Sequence, residues 1–197
     1  MKSHQLESLL HDLLGDMFCG VWASDQLHYL TRSFQPPAYF IVNTHPAHLP
    51  GEHWLALTLE KEDTATFFDS FGFSPDHAFY PPEILAFLRH RSKRILFPTK
   101  QLQHPLSFAC GHHCVFYLYQ RAKGLSLEQI FNLYSDGEEG TENDDLVMEF
   151  VRSYQHCIRN HSCGSSQDGA CSLQMFRDCC DVLKKKEKKK KLTTMNH

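Results

Sequence analysis

A chain of 197 residues that is 42% hydrophobic and 12% aromatic can bury a real core in one globular domain or at most two small ones, which excludes wholesale disorder. No apolar run reaches the ~18 to 20 residues of a membrane helix, and the first thirty residues lack a secretory pattern, so the sequence reads as soluble and intracellular, without a membrane partner. The net charge of −3 hides an asymmetry: Lys184 to Lys191 hold seven lysines and one glutamate, leaving a body near −9 and a tail of +6.

In chain order, Leu6, Leu9, Leu10, Leu13 and Leu14 recur at helical spacing after Ser3, the expected cap, and Gly15 ends that helix. Short β-branched and aromatic runs follow, divided by prolines and glycines. They predict strands over Tyr39 to Asn43, Trp54 to Leu59, Thr66 to Asp69 and Arg94 to Phe97, with a helix after Pro81 and Pro82. Helices are predicted from Cys110 to Lys123, stopped by Gly124, and from Ser126 to Tyr134, opened by a Ser126/Gln129 capping box. Asp136 to Asp145 is rich in carboxylates around two glycines and reads as an exposed loop. Asp144 to Ile158 and Leu173 to Leu183 complete the helices. The organisation is one α+β domain over residues 1–183 and a basic, disordered tail over 184–197.

Eight unevenly spaced cysteines in a chain without an export signal are expected to stay reduced, so one of them is free to be reactive. His156, Cys157, His161, Cys163, Cys171, Cys179 and Cys180 can be read as thiols or as zinc ligands. They contain no CxxC pair, and no metal site is assigned.

Cys110 begins its predicted helix, where unpaired N–H groups and the helix dipole favour a thiolate; a small buried packing residue is the plainer reading. Gly111 beside it leaves room for a substrate backbone. A hairpin centred near Lys61 puts His53 opposite Asp69, close enough for the carboxylate to orient the imidazole, or merely to form a cross-strand pair. Gln103, seven residues before Cys110 with Pro105 and Ser107 between, can fold back as an oxyanion donor or remain a surface glutamine. Cys114, one turn into the helix, is expected to pack inward.

Ile41-Val42-Asn43-Thr44, Gly51-Glu52-His53-Trp54, Phe68-Asp69-Ser70-Phe71-Gly72-Phe73-Ser74, Gln103 and Ala109-Cys110-Gly111 with Cys114, in this order, resemble the adenovirus endopeptidase (adenain) family. Phe18 to Leu27, with Gly20, Ala23, Ser24 and Asp25, resembles that family's N-terminal segment, and the likeness covers about residues 18 to 123. It implies a papain-like cysteine protease fold of the adenain and SUMO-protease clan, an α+β mixed sheet with the nucleophile on a central helix. It further implies Cys110 as nucleophile, His53 as general base, Asp69 as its orienting acid, and Gln103 with the Cys110 N–H as oxyanion hole. Trp54 lines the site by the same likeness, or simply packs on the core.

The resemblance implies an endopeptidase acting on viral or element-encoded precursor capsid and core proteins in the host nucleus and virion, and a monomer is expected. No cofactor is needed for the chemistry, and DNA enters as an activator held by the body or by Lys184 to Lys191. Three departures stand out. The acid is Asp69 where the mammalian viral enzymes carry glutamate. Residues 70–109 contain no cysteine, so a peptide activator is not tethered by the family's disulfide. Residues after about 124, with the lysine tail, match nothing in the likeness, which suits a divergent adenovirus or a virus-like transposon. The rival readings are a SUMO- or ubiquitin-type isopeptidase and an inactive DNA-binding module using the tail.

Overall fold

Among the described residues, five strands form one mixed sheet in the spatial order of the chain: β1 (Phe18–Ala23), β2 (Ala38–Asn43), β3 (Trp54–Glu60), β4 (Thr64–Phe68) and β5 (Arg94–Leu96). The computed structural model describes residues 1–31, 33–137 and 140–161. β2, β3 and β4 are antiparallel, while β1 runs parallel to β2 and β5 parallel to β4. The turn of Lys61, Glu62 and Asp63 is short enough for an antiparallel hairpin, whereas the return to β5 needs a crossover, supplied by α2 (Pro82–Arg91).

Alternation along the strands sends side chains to two covered faces. Phe40, Val42, Leu55, Leu57, Ala65 and Phe67 cluster with Ile84, Phe87 and Leu88 of α2 and with Leu27 and Leu30. On the other face lies α3 (Cys110–Ala122), whose Tyr117 ring stacks on Phe68 at 4.2 Å. A sheet covered on both sides explains why every residue of β2 and β4 is buried. Each fully buried Phe or Leu contributes roughly 1.5–3 kcal/mol. Arg121, near the end of α3, pairs with Glu60 at 2.5 Å and so fixes the helix to the β3–β4 hairpin.

The leucine stripe of α1 (Ser3–Leu14) is buried as expected, but Ser3 is its first helical residue rather than its cap. Lys2 is the cap, and its N–H donates to the Gln5 side chain in the first turn at 2.8 Å. The Ser126/Gln129 capping box opens α4 (Leu127–Phe131), which is shorter than expected. β1 was absent from the expected strands because Gly20, at φ 110, and a register shift between Phe18 and Val21 break its alternation.

The chain divides into two compact units, Met1–Val147 and Met148–His197, and all candidate site residues lie in the first. α5 (Thr141–His161), the last helix among the described residues, starts earlier than the expected Asp144. The expected helix over 173–183, the basic tail and Cys163, Cys171, Cys179 and Cys180 lie outside the described residues. Among the described residues, no helix is long and apolar enough to cross a membrane.

Candidate active site

His53 lies immediately before β3 and Asp69 immediately after β4, so both project from the same end of the hairpin. The observed register pairs Ala56 with Phe68 and Glu60 with Thr64, two residues away from the expected one, because Lys61 to Asp63 form a three-residue turn with Glu62 and Asp63 at positive φ. Continued outward, that register sets His53 against Phe71, and the two rings do stack, 4.8 Å between centroids. A slip of two preserves the face, so Asp69 remains a diagonal neighbour of His53. Its Oδ1 lies 2.6 Å from His53 Nε2.

Asp69 is fully buried, and its carboxylate is held from three sides. Oδ1 also accepts the Phe71 N–H at 3.1 Å, and Oδ2 accepts the Phe73 N–H at 2.9 Å. Gly72 makes this wrap achievable. Its φ is +77, and a Cβ there would lie 2.8 Å from the Thr99 carbonyl oxygen. Burial pushes the Asp69 carboxyl up, but the hydrogen bond and charge of His53, with the Tyr80 hydroxyl and the Phe73 N–H, together hold the group below the ordinary carboxylate range.

Cys110 is the first residue of α3 and is buried, close enough to the His53 side chain for each group to shift the other's proton affinity. With Nε2 committed to Asp69, His53 has Nδ1 left for the sulfur. Burial raises the Cys110 thiol, but His53 together with the Trp54 and Gly111 N–H groups carries it below its ordinary value. For His53 burial likewise opposes charge, yet Asp69 and Cys110 raise the imidazole to about 9. Both shifts favour a thiolate and an imidazolium in contact. Cys114, one turn on, is its opposite: wholly buried, its thiol is pushed well up, and its Sγ contacts the Trp54 carbonyl at 3.3 Å.

Gln103 is 1% exposed, not a surface residue. Its Oε1 accepts the Ser70 hydroxyl at 2.7 Å and its Nε2 donates to the Ser107 carbonyl at 2.9 Å, three residues before Cys110. The Leu102 and Gln103 N–H groups both donate to the Ser70 carbonyl, at 2.9 and 3.0 Å. The glutamine is thus tied to the residue after Asp69 and to the loop entering α3. One amide proton remains for a ligand.

Two expectations are corrected here. The space beside Gly111 is bounded by Met1 and Trp54, each 3.3 Å from where a Cβ would stand, rather than left open. Trp54 is 7% exposed, donates its Nε1–H to the Met1 carbonyl at 3.1 Å, and with Met1, Lys2, Ser3, His4 and Gly51 lines a cleft of about 390 Å³. The acidic run is not an exposed loop throughout. Asp136 is exposed and pairs with Lys100 at 2.5 Å, but Asp144 is 3% exposed and meets the fully buried His113 at 2.8 Å. Asn43 has no role legible in the sequence. It is buried, and its Oδ1 accepts the His45 and Glu52 N–H groups at 2.8 and 3.3 Å, ordering the loop into His53. Among the described residues, no group of three or more His, Cys, Asp or Glu side chains could hold a metal ion.

The adenovirus endoprotease family model matches residues 18–160. The chain is 31% identical over 153 residues to the protease of porcine adenovirus A serotype 3, spanning 72% of this chain and 74% of that protein. It is 29% identical over 130 residues to the protease of bovine adenovirus B serotype 3, spanning 60% of this chain and 63% of that protein. A likeness of fold at 16% identity and TM-score 0.50 links 81% of the chain to 98% of the central domain of the uncharacterised Lpg1148 protein from Legionella pneumophila. The family model and the two adenovirus relatives make the protein a protease. The chain belongs to the adenovirus endoprotease family, and the match continues past residue 124, where the sequence motifs stop, through α4 and most of α5.

Proposed function

We propose that the protein is a cysteine endopeptidase with Cys110 as nucleophile, His53 as acid and base, Asp69 as orienting carboxylate, and Gln103 with the Cys110 N–H as oxyanion hole. The observation that carries the reading is the buried Asp69–His53 hydrogen bond, 2.6 Å, beside a buried Cys110 that opens a helix and whose thiol His53 holds below its ordinary value. The Cys110 thiolate attacks the peptide carbonyl carbon, forming a C–S bond while the carbonyl oxygen becomes an oxyanion. His53 gives its proton to the leaving nitrogen, the C–N bond breaks, and the amine half departs. Water then attacks the thioester, His53 takes its proton, and collapse releases the acid and restores the thiolate–imidazolium pair.

The substrates are the precursor capsid and core proteins encoded with this enzyme, cut during particle maturation in the host nucleus and virion by a monomeric enzyme. Family membership supports that reading. DNA acts as an activator. The support is the block of seven lysines in 184–191, a charge cluster suited to phosphates rather than base edges. A peptide activator, if used, binds without a disulfide from 70–109, which holds no cysteine. Purified protein is incubated with the co-encoded structural proteins, with and without DNA, beside the Cys110→Ala variant. Discrete fragments lost in the variant are expected, and fragments that persist with Cys110→Ala overturn the reading.

A further inference from the structure

The buried His113–Asp144 pair takes no part in the chemistry above, yet it stands directly behind the loop that carries Gln103. Asp144 is in the first turn of α5, where its N–H donates to the Gly140 carbonyl at 3.0 Å. Its Oδ1 lies 2.8 Å from His113 Nε2, and its Oδ2 accepts the His104 N–H at 3.4 Å. Gly140, at φ +72, presses against the same peptide. A Cβ there would lie 2.7 Å from both the Gln103 carbonyl carbon and the His104 nitrogen. His113 is three residues beyond Cys110 on α3 and stacks on Tyr134, 5.7 Å between centroids. Burial first, against the pull of Asp144, keeps this imidazole below its ordinary value, so the neutral ring donates Nε2–H to the carboxylate. Asp144 therefore joins the helix of the nucleophile to the Gln103–His104 peptide by two hydrogen bonds from one side chain.

We propose that Asp144, acting through His113 and the His104 N–H, is a positioning residue that sets the direction of the Gln103 amide relative to Cys110. The inference rests on the oxyanion role given to Gln103 above. A displaced oxyanion donor weakens transition-state binding while leaving ground-state binding and the thiolate alone. Alkylation of Cys110 by iodoacetamide forms no oxyanion, so it separates this role from general support of α3.

The test compares Asp144→Ala, Gln103→Ala and the double variant for kcat and KM on a peptide substrate, for the Cys110 alkylation rate and for Tm. Asp144→Ala is expected to lower kcat about tenfold or more, with KM and alkylation within about twofold. In the Gln103→Ala background it should add little. His113→Phe keeps a ring against Tyr134 and removes the donor, so it carries the same expectation should Asp144→Ala not fold. A fall of kcat and alkylation together, full additivity with Gln103→Ala, or an unaltered kcat overturns the proposal. An unaltered kcat in Gln103→Ala alone instead overturns the oxyanion assignment on which it rests.

Discussion

Replacing Asp69 by Asn removes one charge from a fully buried site without changing its size, and its effect can be worked from the contacts. Raising His53 from 6.5 to about 9 against the opposing effect of burial is a preference for the imidazolium of roughly 3 kcal/mol. Asp69 supplies it by hydrogen bond and charge, together with Cys110. Without the carboxylate, burial still disfavours the cation and only the thiolate supports it. In the proposed mechanism the working state needs a deprotonated Cys110 and a protonated His53. Activity therefore rises with pH through the lowered thiol value and falls again as the raised imidazole loses its proton near 9, both limbs belonging to the coupled pair. In Asp69→Asn the alkaline limb should move towards neutral pH by at least ~1 unit, and kcat/KM at pH 7 should fall by about 100-fold, within the range of general acid–base contributions. The assay is kcat/KM against pH on a fluorogenic peptide. An alkaline limb left in place, with kcat/KM within about threefold of the parent, would refute the reasoning.

Gln103→Ala should lower kcat by about 100-fold and spare KM, measured on the same peptide. Gly72→Ala should destabilise by about 2 kcal/mol or more in urea unfolding, since it forces a side chain to a positive φ and against the Thr99 carbonyl; an unchanged midpoint contradicts the packing. Deleting residues after 183 should flatten the salt dependence of DNA binding, followed by fluorescence anisotropy, and an unchanged slope assigns the DNA to the body of the protein.

Much of the site was legible because its parts are local. A cysteine opening a helix, a histidine before one strand and an acid after the next can be read from spacing. Parity proved sturdier than register: the hairpin centre was misread by one residue, since nothing in Lys61-Glu62-Asp63 advertises two positive φ values, yet Asp69 kept its face. The resemblance and the hairpin therefore agreed on His53 and Asp69 even though the pair is diagonal rather than opposed. Asp144 was illegible for the opposite reason. A carboxylate inside an acidic run reads as solvated, and its burial is decided by a histidine 31 positions away on another helix. Gly111 misled because its neighbour in space, Met1, is brought in by α1 and the Trp54 indole, which no local pattern encodes.

The central claim, that Cys110 is a thiolate nucleophile paired with His53, is tested most directly by brief iodoacetamide treatment at pH ~6, with labelled cysteines mapped by mass spectrometry and residual cleavage measured on the same samples. At this pH ordinary thiols, which titrate near ~8.5, are almost wholly protonated. The account predicts labelling confined to Cys110, activity lost in proportion to it, Cys114 untouched, and the preference largely erased by His53→Ala. Full activity with Cys110 alkylated, or an unlabelled Cys110 in an active preparation whose other cysteines react, would contradict it.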